Sequence, residues 1–158
     1  TVINNIDDEQ CVMGGGKKTG WKFHMMGLQD VDILMNWIDA CLPHAAMHVG
    51  GGESTDDYGA SIINDKAMRI SESWGIHYNK GEYVTKHNHF PFAMSFNYCV
   101  SAPKDCSPFI LEGDEIEPVP GRIIFFHAHK NHWTKPNESN GRCMIVGNVV
   151  YDPELLKP

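Results

Sequence analysis

The chain has 158 residues, a formal net charge of −7, 42% hydrophobic and 21% charged residues. That size suits one domain with a sizeable core, and the acidic balance argues against nucleic acid and anionic membrane surfaces as partners. No apolar run approaches the ~18 residues a membrane span needs, and the polar start TVINNIDDEQ does not read as a signal peptide.

Residues 1–20 read as a polar, glycine-rich arm. GGGKKTG (Gly14 to Gly20) invites a phosphate-loop reading but fails it. Cys11 stands where the first glycine belongs and Lys18 where the hydroxyl belongs, so a flexible turn is expected. Trp21 to Met26 reads as a short strand. Val31, Leu34, Met35, Ile38, Cys41 and Leu42 then repeat at helical spacing, with Asp30 as N-cap and Pro43 as the stop. The glycine-rich stretch His48–Ser61 reads as a loop, and Ile62–Met68 is ambiguous.

From Ile70 the pattern turns to β. Ile70, Trp74, Ile76 and Tyr78 alternate with polar or small residues, and Lys80-Gly81 makes a turn. Further strands are expected at Tyr83–His89, Met94–Ser101, Pro108–Glu112, Arg122–Phe126, His132–Lys135 and Arg142–Tyr151. The breaks between them carry Gly, Pro, Asn or Asp. One helix followed by many short, evenly spaced strands predicts a mainly β fold with an N-terminal helix, a jelly-roll or cupin-like barrel. The expected organisation is one domain over 1–158, with residues 1–69 as support and 70–151 as core.

Five cysteines, Cys11, Cys41, Cys99, Cys106 and Cys143, are odd in number and widely spaced. They fit reduced thiols in a cytoplasmic setting better than a disulfide frame. Asn137-Glu138-Ser139 matches a glycosylation acceptor, a triplet that is common by chance.

Of nine histidines, six lie between His77 and His132. His87 and His89 are one residue apart, so in a strand they share a face. With His132 they form a candidate metal set drawn from two distant segments, leaving coordination positions open. The competing reading is a solvated strand edge. His127 and His129 read as turn residues, and His77 as a core or rim histidine. Arg142 opens the last strand; a buried arginine there would need an anion, and a carboxylate is its natural partner. A metal beside an anion-binding arginine suits a carboxylate-bearing co-substrate.

The ordered pieces SWGIHYNKGEY (Ser73–Tyr83), HNH (His87–His89), SFNY (Ser95–Tyr98), PGRIIFF (Pro120–Phe126), His132, Pro136, Arg142 and Asn148 resemble the 2-oxoglutarate/iron(II)-dependent oxygenases of bacteria and phages. The resemblance covers about residues 70–151. It implies a double-stranded β-helix, iron(II) held by His87, His89 and His132, and 2-oxoglutarate anchored by Arg142. It makes Tyr78, Ser95, Tyr98 and Asn148 candidates for lining the site. It implies hydroxylation of a small-molecule or peptide substrate, with release of succinate and CO2. Two positions depart from the family pattern. His89 stands where most members have Asp or Glu, and Met144 stands where a small hydroxyl residue follows the arginine. A cupin-like three-histidine metalloenzyme without 2-oxoglutarate, and a non-catalytic metal-binding barrel, are the alternatives.

Overall fold

The computed structural model describes residues 1–49 and 67–156. Among these residues the one long helix is α1 (Gln29–Val49), with nine strands. They are β1 (Asp7–Cys11), β2 (Lys17–Lys18), β3 (Met68–Tyr78), β4 (Met94–Ser101), β5 (Phe109–Leu111), β6 (Asp114–Ile116), β7 (Ile123–His127), β8 (His132–Thr134) and β9 (Arg142–Tyr151). They form a six-stranded sheet, β1-β2-β3-β9-β4-β7, and a three-stranded sheet, β6-β5-β8, with every pairing antiparallel. This is the expected mainly β architecture, a double-stranded β-helix with a helix on its outer face.

The period of two decides which residues meet the helix and which meet the interior. On β9, Cys143, Ile145 and Val149 join the core under α1, where Phe96 of β4 and Val31, Met35, Ile38 and Leu42 of the helix also lie. The other parity of the same strands, with Trp74, Ile76, Tyr78, Cys99 and Met144, forms an inner cluster. A register shift between Ile70 and Glu72 swaps the parity of β3, so that Met68 and Ile70 face the helix while Trp74, Ile76 and Tyr78 face inward. Gly147 lets these layers close. A Cβ there would sit 2.5 Å from Phe96 Cζ and 2.6 Å from the Glu72 carbonyl oxygen.

Several expectations are corrected. The first twenty residues contain the β1–β2 hairpin, tied to β3 through Lys17↔His77 and Lys18↔Ile76, so the stretch around GGGKKTG is sheet edge as well as turn. Phe23–Met25 is a 3-10 helix, not a strand. The helix starts at Gln29, which places Asp30 inside its first turn, and it runs through Pro43. Burial of Ala45 and Ala46 beyond the proline keeps the last turns docked despite the missing donor. Tyr83–His89 is not a strand; it meets its neighbours through the isolated bridges Gly15↔Tyr83 and His87↔His132 and through hydrogen bonds between Val84 and Thr134 of β8. β6 occupies what read as a break. The loop expected from residue 50 onward, and residues 62–66, lie outside the described residues.

Candidate metal centre

His87 and His132 are brought together by backbone, not by side-chain attraction. The His87 N–H donates to the His132 carbonyl at 3.1 Å, and the His132 N–H donates to the His87 carbonyl at 2.9 Å. The His89 N–H donates to the Ala128 carbonyl at 2.7 Å. The outcome is three imidazoles whose nearest ligand atoms all lie within 4.8 Å of one another.

Two of the rings are oriented in the same way. His87 Nδ1 lies 2.7 Å from the Thr85 carbonyl, and His132 Nδ1 lies 3.2 Å from the Lys130 carbonyl. A carbonyl can only accept, so each Nδ1 carries the proton and each Nε2 keeps a free lone pair. Burial pushes His132 down to about 4, with His87 adding to the effect. Burial likewise pushes His89 down to about 3, with His132 and His87 contributing. Both are neutral near pH 7, the form that binds a metal. The packing of like bases into one spot, with the outer nitrogens of His87 and His132 satisfied, is what a divalent metal site requires.

Beyond the histidines lies a cavity of about 50 Å³, lined by Trp74, Tyr78, Asn97, Thr134 and Arg142 among others. Arg142 has no solvent exposure. Its Nη1 donates to the Ser107 carbonyl at 2.5 Å, while Nε and Nη2 have no partner. Ser107 is fixed in turn. Asn137 Oδ1 accepts from its N–H at 3.3 Å, and its hydroxyl donates to the Pro136 carbonyl at 2.7 Å. Tyr78 pairs with Arg142 in the β3–β9 register, and the guanidinium lies 5.6 Å from its ring. Burial holds the Tyr78 phenol well above its ordinary range, against the pull of Arg142, so it stays a neutral hydroxyl. A buried guanidinium with two idle donors, next to a phenol, is an arrangement whose donors an anion would satisfy.

The other expected site residues divide. Ser95 and Asn148 face the interior but lie one row beyond the cavity. There the Ser95 hydroxyl donates to Asn148 Oδ1 at 2.9 Å, and Asn148 Nδ2 donates to Glu72 Oε2 at 3.1 Å. Tyr98 points the other way and packs on Trp37 of α1, with centroids 6.3 Å apart. It has the parity of Phe96, which decides its face, so it does not line the cavity. His127 and His129 pair with each other, centroids 4.8 Å apart, away from the triad.

Sequence reading missed three residues. Trp74 is buried with its Nε1–H unpartnered, and its ring lies 5.8 Å from that of His89. Asn97 is buried with Oδ1 unpartnered. The alternation of β4 could have found it, since a polar side chain between Ser95 and Cys99 must share their inner face. Asn137 drew notice only for a glycan-acceptor triplet that is common by chance; at 2% exposure it is a structural brace that also donates to the Glu82 carbonyl at 2.7 Å.

No protein-family model matches the chain, and no curated protein matches it. Its fold is nonetheless shared. A Pseudomonas putida prolyl-4-hydroxylase superposes with a TM-score of 0.68 at 14% identity, over 94% of this chain and 78% of the other. The viral collagen prolyl hydroxylase of Paramecium Bursaria Chlorella virus-1, in its 2-oxoglutarate complex, gives 0.64 at 15%, over 93% and 86%. A Trichoplax adhaerens prolyl hydroxylase bound to a hypoxia inducible factor peptide fragment gives 0.65 at 13%, over 97% and 73%. The chain spans only 45% of another match, a 2-oxoglutarate-iron(II) oxygenase family member from Burkholderia pseudomallei.

Proposed function

We propose that this chain, which has the fold of the prolyl hydroxylases, is an iron(II)- and 2-oxoglutarate-dependent dioxygenase acting on a small-molecule or peptide substrate. The observation that carries the reading is Arg142: a fully buried guanidinium with two idle donors, lining the same cavity as three converging histidines. His87 and His132 would hold the iron through Nε2, and His89 through its ring. Arg142 and the neutral Tyr78 hydroxyl would bind the distal carboxylate of 2-oxoglutarate. Tyr78 thereby supplies the hydroxyl that Met144 lacks, since both line the cavity. The bound iron and 2-oxoglutarate, with O2, supply the oxidising power for C–H hydroxylation, giving succinate and CO2. The chain's own part is to orient the two ligands and to exclude water from the carboxylate with Ile76, Met144 and Val146.

Anaerobic titration of the metal-free protein with iron(II) and then 2-oxoglutarate tests this. A weak visible charge-transfer band is expected with the native chain, and none with Arg142→Met. An all-imidazole donor set is neutral, which favours one second reading, a cupin-like metalloenzyme that does not use 2-oxoglutarate. Bound iron without the band would select it.

A further inference from the structure

A second opening meets the metal centre from outside. It is a groove of about 270 Å³ whose walls include Met13, Lys18, Trp21, Trp74, His87 and His89. One wall is the N-terminal hairpin. Its tip is laced to the segment before the histidines: the Tyr83 N–H donates to the Gly14 carbonyl and the Thr85 N–H to the Met13 carbonyl, both at 3.0 Å. The lacing closes that end of the groove.

The chemistry of the walls is specific. Trp21 and Met13 are large apolar side chains left 49% and 66% exposed. Trp21 packs edge-on to Trp74 with centroids 4.6 Å apart, so the aromatic floor is rigid. Lys18 is the one lysine or arginine on the groove among the described residues, and it is only 5% exposed. Its ammonium lies 3.5 Å from the Trp21 ring centroid and donates to the neutral Gln10 Oε1 at 2.7 Å. Burial lowers the Lys18 pKa, and the Asp7 and Glu72 carboxylates, acting through space, offset this only in part. The Trp74 Nε1–H, in a side chain 4% exposed, has no acceptor. A buried ammonium with donors to spare and an idle indole N–H both call for an acceptor-rich group.

We propose that this groove takes the prime substrate, and that the substrate is a small carboxylic acid with an apolar or aromatic body. The inference rests on the oxygenase reading for the word substrate. The apolar body lies on Trp21 and Met13, and the carboxylate meets Lys18. One cation matches a monoanion better than a phosphate dianion, and the laced end suits a compact molecule better than a peptide that runs through.

The probes are 3-phenylpropionate and its neutral amide, titrated calorimetrically into the zinc-loaded full chain held in excess 2-oxoglutarate. The acid is expected to bind about tenfold or more tightly than the amide. Lys18→Met should erase that preference, and Trp21→Ala should weaken both probes. Equal binding of acid and amide would overturn the proposal, and so would no binding of either. It is also overturned if the preference survives Lys18→Met but is lost in Arg142→Met, which would put the acid in the inner cavity. Tight binding of a proline-containing decapeptide, indifferent to Lys18→Met, would overturn it in favour of a peptide. The iron titration above is read separately: a Lys18-dependent preference without a 2-oxoglutarate band supports the groove and removes the oxygenase reading.

Discussion

Arg142 holds a full charge with its surface wholly buried, one of its hydrogen-bonding nitrogens partnered and two idle. Removing a charge from water costs several kcal/mol, and a partial set of hydrogen bonds does not return it. Arg142→Met should therefore leave the ligand-free protein as stable as before or raise its melting midpoint by a few degrees, while abolishing 2-oxoglutarate binding. Thermal melting and the charge-transfer titration, run on one preparation, check both halves. A large fall in the midpoint would mean that the Ser107 contact matters more than the idle donors cost. The thiols make a second test. Cys11 is exposed, Cys41 is half-buried, and the other three are buried. Burial pushes the Cys143 thiol up to about 11, so it remains protonated from pH 7 to 9. Over that range a thiol reagent should label Cys11 first and spare Cys143 until denaturant is added, as read by mass spectrometry of the digested protein.

At the scale of the element, β3, β4 and β9 carry both the core and the site on opposite faces. They pass close to one another at Gly147. Gly147→Ala drives a methyl into the Phe96 ring and the Glu72 backbone. The ring can turn and the backbone cannot. A loss of about 1–3 kcal/mol is expected in denaturant unfolding, and adding Phe96→Leu should recover only part of it. These central strands were also the legible ones. Met94–Ser101 and Arg142–Tyr151 read from largely apolar runs set off by turn residues, with the bounds the structure shows, because each buries both faces and is paired on both sides. The hairpin was not legible: β2 has two residues, and no period can be read from two residues. The helix end was misplaced because Pro43 is a local signal, whereas the packing of Ala45 and Ala46 is a tertiary one. The histidine set was legible as a cluster although its carrier was not. His87 is held in register by one bridge to His132, so its placement comes from contact with a distant strand and not from a strand of its own.

For the whole molecule, metal and fold are coupled. The triad joins the segment before β4 to β8, some forty residues on, and the two are otherwise linked by few hydrogen bonds. A metal at about a hundredfold above its dissociation constant should stabilise the fold by about 2.7 kcal/mol, a rise of roughly 5–10 °C in melting midpoint. The rise should vanish on chelation and in His132→Ala, with scanning calorimetry as the readout. Among the described residues no helix is long and apolar enough to cross a membrane.

The reciprocal backbone bonds between His87 and His132 also divide the triad into two kinds of member. Two rings are built into the architecture: each has its main chain in the bridge and its Nδ1 on a carbonyl two residues back. The His89 side chain has neither tie, so the frame that fixes the other two rings does not depend on it. A lineage could exchange the residue there, and with it the charge of the centre, without rebuilding the barrel. His89→Asp is the one-step version of that history: the circular dichroism of the native fold should persist while metal preference shifts among iron, cobalt and zinc.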